Sequence, residues 1–120
     1  MSASQPSRAR PSETVTADIS NEILAIYRRV FGHRPERTST FVQPQFAVCV
    51  LREIFTPAER ALIAGGRGDK VGATRSALND AIEDQYVAIV ASRTGRPVQS
   101  HLARVTVSGD VAVHFFLFED

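Results

Sequence analysis

Gly65-Gly66-Arg67-Gly68 is the stretch of this chain where a ligand has the clearest physical reason to bind. Backbone N–H groups in a glycine-rich turn that feeds a helix N-terminus can hold an anion. Arg67 and Lys70 add positive charge, and Arg75 lies further along the same segment. The candidate ligand-binding set is therefore Gly65, Gly66, Arg67, Gly68 and Lys70, with a phosphate as the fitting chemistry. Asp69 opposes it by placing a negative charge in the middle of the set. The plain alternative is a helix–helix turn made of permissive glycines.

Other reactive side chains are few. Cys49 sits within an apolar run and reads as a buried, inert thiol. His101 and His114 fall where they can face one another across a terminal hairpin, and with Cys49 they would supply transition-metal donors. No diagnostic ligand spacing accompanies them, so neither metal nor cofactor is expected. Asp80, Glu83 and Asp84 cluster on one helix and read as a solvated acidic face. No nucleophile or oxyanion motif joins them, so no catalytic residue is assigned and the chain is not expected to be an enzyme.

The elements that must position these residues follow from composition and periodicity. The chain has 120 residues, 43% hydrophobic and 22% charged, with a net charge of +1. That suits one globular domain and supplies no global field toward nucleic acid or membrane. A single cysteine excludes an intrachain disulfide and suits a reducing compartment. No apolar run approaches the ~18 residues of a membrane span. The start of the chain lacks the apolar core of a secretory signal, so the expected location is cytoplasmic.

Residues 1–14 are rich in Ser, Pro and Arg and are expected to form a disordered tail, leaving residues 15–120 as one domain. A helix is predicted over about 16–32, where Ile19, Ile23, Ile26, Tyr27, Val30 and Phe31 form one stripe and Gly32 ends it. Residues 37–43 and 46–53 read as strands joined at Pro44-Gln45. The second is apolar on both faces, as an interior strand would be. Thr56, Pro57 and Glu59 announce a helix over 57–64 by a capping box. A long third helix is predicted over 69–94, with Val71, Leu78, Ile82, Tyr86, Ile89 and Val90 as its buried stripe. Gly72 inside it suggests a close approach, and Gly95 and Pro97 end it. Strands at 98–107 and 111–118 close the chain around Ser108-Gly109-Asp110. The last strand is apolar on both faces. One helical layer covers one face, so either a dimer partner or the first helix must cover the other. The expected fold is a two-layer α+β sandwich, in the order α-β-β-α-α-β-β, with about four strands in a mixed or antiparallel sheet. A homodimer is the expected assembly.

The stretches Ile19-Ser20-Asn21-Glu22-Ile23, Phe31-Gly32-His33-Arg34-Pro35 and Gly95-Arg96-Pro97-Val98 stand in a specific order with Phe55 to Gly68. With Asp110-Val111-Ala112-Val113 after them, they resemble the bacterial MpsC family over about residues 16–119. At Arg96-Pro97 the chain departs from that family, which more often carries a second Arg or Lys there. The family takes its name from a proposed sodium-translocating, membrane-potential-generating system. The resemblance implies a non-enzymatic accessory or regulatory module linked to a cation-translocating or inorganic-carbon-uptake system. It implies an unidentified protein partner, such as a membrane transport system, and carries no catalytic residues over. The alternative rests on Gly65, Gly68 and Val71. They match the G-x-x-G-x-x-apolar spacing of KH domains, whose loop between two helices clamps an RNA backbone. RNA is the less favoured partner, since Asp69 and the near-zero net charge oppose it.

Overall fold

A computed structural model describes residues 11–120 of the chain. The order is α1 (Pro11–Phe31), β1 (Arg37–Val42), β2 (Phe46–Arg52), α2 (Pro57–Ala64), α3 (Gly68–Ala81), α4 (Glu83–Thr94), β3 (Val98–Thr106) and β4 (Val111–Phe118). The expected order holds, with the long third helix divided in two. Residues 1–10 of the expected tail lie outside the described residues, and 11–14 are already helical.

The four strands form one antiparallel sheet in the order β1-β2-β4-β3. The two chain-wide apolar strands, β2 and β4, occupy its centre, as their two-faced sequences require. Their burial alternates strictly. Ala47, Cys49 and Leu51 of β2, with Ala112, His114, Phe116 and Phe118 of β4, point into the core. The α1 stripe of Ile19, Ile23, Ile26 and Tyr27 packs on that face together with Val71, Tyr86, Ile89 and Val90 from α3 and α4. Gly32 takes φ 73° and its N–H closes on the Arg28 carbonyl, which ends α1 as predicted.

Helix α2 starts as its sequence says. Thr56 Oγ1 accepts from the Glu59 N–H at 3.1 Å, and Glu59 Oε1 accepts from the Thr56 N–H at 2.8 Å. Thr56→Ala should therefore cost about 0.5–2 kcal/mol. Urea denaturation would measure this, and an unchanged midpoint would show that the cap contributes nothing to stability.

The predicted third helix is broken at Ile82, which has φ −112° and ψ 18°. The break changes which face is buried. Leu78, expected in the core, is 37% exposed, while Arg75 and Asn79 are buried instead. Val71, Arg75 and Asn79 recur every four residues, so one face of α3 turns two polar side chains inward. The Tyr86 hydroxyl donates to Asn79 Oδ1 at 2.7 Å and bridges the break. Gly72 marks the close approach expected of it. A Cβ there would stand 3.3 Å from Val107 Cγ2, and one at Gly68 would stand 3.1 Å from Val107 Cγ1.

The turn after β3 also does structural work. Asp110, at φ 53°, accepts the Ile54 and Phe55 N–H groups on Oδ1 at 2.7 and 3.2 Å. Its other oxygen lies 2.9 Å from Arg60 Nη2. One carboxylate thus fastens the β2–α2 connection to the terminal hairpin.

Candidate functional site

Three features were candidates for function: the glycine elbow, the polar groups within the core, and the sheet face away from the helices. The elbow brings Gly65, Gly66, Arg67, Gly68 and Lys70 together between α2 and α3, as the sequence indicates. Its backbone is arranged to close α2. Gly66 has φ 82°, the Gly66 N–H donates to the Ile63 carbonyl, and the Arg67 N–H donates to the Leu62 carbonyl at 2.8 Å. This is a Schellman C-cap with glycine at its left-handed position. The Gly65 N–H also turns back, to Ala61 and Leu62. Three successive N–H groups that an anion would need are therefore committed to helix α2. Gly68 is small because Val107 packs over it. Arg67 and Lys70 remain exposed, whereas Arg75 is fully buried and cannot reach a ligand at the elbow.

Arg75 belongs to a different construction. Its Nε and Nη2 hold Glu59 Oε2 and Oε1 at 2.7 and 2.6 Å, and Nη2 also donates to the Ile54 carbonyl at 2.6 Å. The guanidinium lies 4.0 Å from the centre of the Phe31 ring. Burial pushes the Glu59 carboxyl upward, but hydrogen bonds from Arg75 and Thr56 and the Arg75 charge outweigh it. The group is held below the usual carboxylate range.

The terminal hairpin does bring His101 and His114 face to face. His101 Nε2 and His114 Nδ1 are 2.9 Å apart, with the rings nearly parallel. At the outer end, Glu83 Oε2 meets His101 Nδ1 at 2.7 Å. At the inner end, His114 Nε2 meets the Tyr27 hydroxyl at 2.8 Å. Glu83 is thus the first residue of α4 aimed at β3, and the reading of it as a merely solvated acid is corrected. The break at Ile82 is what aims it. Its side chain is 45% exposed and that of His101 only 2%. The line of groups therefore runs from solvent to the centre of the core.

Neighbouring chemistry keeps this line neutral inside. Burial, and then the nearby His101, push His114 down to about 3. Burial raises the Tyr27 phenol well above its ordinary value, against the charge of Arg75. Burial likewise raises Tyr86, with Tyr27 adding to it. Cys49, opposite His114 in the sheet, is pushed up to about 11 by burial. It is a packed thiol rather than a thiolate. The two imidazoles spend their facing nitrogens on each other, and no group of three potential metal donors exists among the described residues.

The far face of the sheet is uncovered by any described helix. Phe41, Val48, Phe115 and Leu102 are register partners in turn and form one apolar row across all four strands. Phe41 is 55% exposed and Leu102 66%. Phe46 stacks on Phe115 with ring centres 5.5 Å apart. Arg37 and Arg52, paired across β1 and β2, stand at one end of this face with Arg104 nearby on β3. Of the two covers the sequence allowed, the first helix is thus ruled out, since α1 lies on the core side. Both the line of polar groups and the open row were partly legible in sequence, through the facing histidines and the two-faced strand 111–118.

A model of the family described as "Na+-translocating membrane potential-generating system (MpsC)" matches residues 12–120. No curated protein and no solved structure is similar to the chain.

Proposed function

The chain belongs to the MpsC family, and from that premise we propose that it is a non-enzymatic docking module. It works as a cytoplasmic accessory or regulatory component of a sodium-translocating system, and as a homodimer. The family match carries the accessory role, and the open apolar row Phe41-Val48-Phe115-Leu102, on a sheet whose other face is the core, carries the homodimer. No described helix is long and apolar enough to cross a membrane. The role is therefore assigned to contacts with a membrane component rather than to a span within these residues.

The occupant of the open face is a second copy. Four strands of about eight residues present a face of about 19 by 26 Å. Two such faces stacked bury on the order of 1,000 Å², at the lower bound for a specific interface. Charge selects the arrangement. The arginines lie beside the start of β4, whereas Glu119 and Asp120 follow its end. A two-fold axis running across the strands lays the arginine end of each copy over the acidic end of the other. An axis along the strands would stack arginine on arginine.

Sedimentation of the purified chain at tens of micromolar should show a dimer. Phe115→Glu should give a monomer with an unchanged circular dichroism spectrum, because Phe115 lies outside the core. A wild-type monomer at high micromolar concentration would remove the dimer. Cells lacking the chain should show a reduced sodium-dependent membrane potential, and an undiminished potential would remove the accessory role.

A further inference from the structure

The line Glu83–His101–His114–Tyr27 has a direction. A carboxylate only accepts, so the hydrogen between it and His101 sits on His101 Nδ1. In a neutral ring His101 Nε2 must then accept, so His114 Nδ1 carries the hydrogen between the two rings. His114 Nε2 is left as an acceptor and takes the Tyr27 hydroxyl hydrogen. Every donor points outward, from the core to the surface.

We propose that these four side chains form a proton-linked switch, in which one proton taken up by the histidine pair reverses the whole line. The proton gained from solvent ends on His114 Nε2 as the His114 Nδ1 hydrogen crosses to His101 Nε2, and the His101 ring becomes an imidazolium held by the Glu83 carboxylate. Its Nε2–H now donates inward, so His114 Nδ1 must become an acceptor. His114 stays neutral by carrying its hydrogen on Nε2 instead. That hydrogen faces the Tyr27 oxygen, whose own hydrogen must turn away from β4. On the helix side Tyr86 lies next to Tyr27, with ring centres 6.3 Å apart, and the Tyr86 hydroxyl already donates to Asn79 Oδ1. The Tyr27 hydrogen is thereby turned from the sheet toward the helices. One proton is gained and none is lost.

The surroundings favour a single proton. His114 is faced by Tyr27 from α1, by Tyr86 from α4, by Cys49 from β2 and by His101 from β3. Behind Tyr27 stands Arg75 from α3, itself paired with Glu59 from α2, and Glu83 lies beyond His101. No carboxylate touches His114, so a second imidazolium there has no partner, whereas one at His101 has Glu83. The outer ring takes the charge and the inner ring relays it.

Nitrogen-15 NMR of the two imidazoles in the wild-type chain tests this, because the shifts distinguish the two tautomers and the imidazolium. At about pH 8 both rings should carry their hydrogen on Nδ1. On acidification His101 should become doubly protonated. His114 should pass in the same transition to the neutral Nε2–H form. In Glu83→Ala the sense of the line is no longer fixed, and both rings should show mixed tautomers at about pH 8. The switch is overturned if His114 keeps its Nδ1 hydrogen while His101 titrates. It is equally overturned if both rings become imidazolium together, or if His101 stays neutral throughout. Unmixed tautomers in Glu83→Ala would overturn the assigned direction.

Discussion

Glu59→Ala should lower the stability of the chain by about 3–5 kcal/mol, above the about 0.5–2 kcal/mol expected at its capping partner Thr56. The two residues share one cap, but only Glu59 also neutralises a buried cation. Both its oxygens are held by Arg75, whose side chain is 1% exposed. Without the carboxylate, the guanidinium keeps the Ile54 carbonyl and the faces of Phe31, Phe55 and Tyr27. Its Nη1 already has no hydrogen-bond partner among the described residues. Ring faces offset only part of the cost of an unpaired buried charge. Glu59→Gln keeps an oxygen for the Thr56 N–H and should fall between wild type and alanine. Replacing both partners, as in Glu59→Leu with Arg75→Met, should recover much of the loss, because no charge then stays buried. Chemical denaturation of the series measures these differences. A Glu59→Ala loss no larger than that of Thr56→Ala would show that the buried guanidinium is compensated elsewhere. The pH dependence has a defined sign. The Glu59 carboxyl is held low in the folded state. Its contribution is therefore present above the ordinary carboxylate value of about 4.3 and is lost as pH falls below it.

Arg75 also shows where sequence reading stops. The bounds of α2 were legible because its signals are local: a capping box before it, and glycines after it. The central places of β2 and β4 were legible because a strand apolar on both faces cannot sit at an edge with one side wet. Polar residues at four-residue spacing carry no such mark. Arg75 and Asn79 read as surface until their partners, Glu59 sixteen residues away and Tyr86 across the break, are seen in space. The break at Ile82 was hidden for the same reason, since 69–94 contains no proline and no glycine after Gly72. What holds α4 in its own direction is a set of tertiary contacts. Glu83 grips His101, Arg93 pairs with Glu22 and Asp18 of α1, and Arg29 donates to Gln85. The elbow is the opposite case. Its glycines were conspicuous, and two of them have structural reasons: Gly66 closes α2 at φ 82° and Gly68 makes room for Val107.

The largest pH effect should come from His114. In the folded chain it titrates near 3, pushed down by burial and by His101, against an ordinary value of 6.5. Its neutral form is favoured by folding. Above about pH 6.5 neither state binds the proton, and the burial of the ring costs nothing through this route. Below it the unfolded chain gains a proton that the folded chain refuses, so stability falls as pH falls, by up to ~1.4 kcal/mol per pH unit. Between about pH 7.5 and pH 5 the loss should amount to roughly 2 kcal/mol. That window lies above the one in which Glu59 begins to protonate, so the two effects separate on the pH axis. His114→Gln keeps an amide donor and acceptor on β4 but cannot titrate. It should be less stable than wild type at neutral pH, because the contact to His101 or Tyr27 is weakened. Its stability should then stay nearly level down to about pH 5. Urea midpoints at a series of pH values read both curves. A wild-type curve that is flat across this window would mean that the buried imidazole accepts its proton as readily in the folded chain as in the unfolded one. The core around Tyr27, Tyr86 and Cys49 would then have to admit a charge that its geometry gives no partner for.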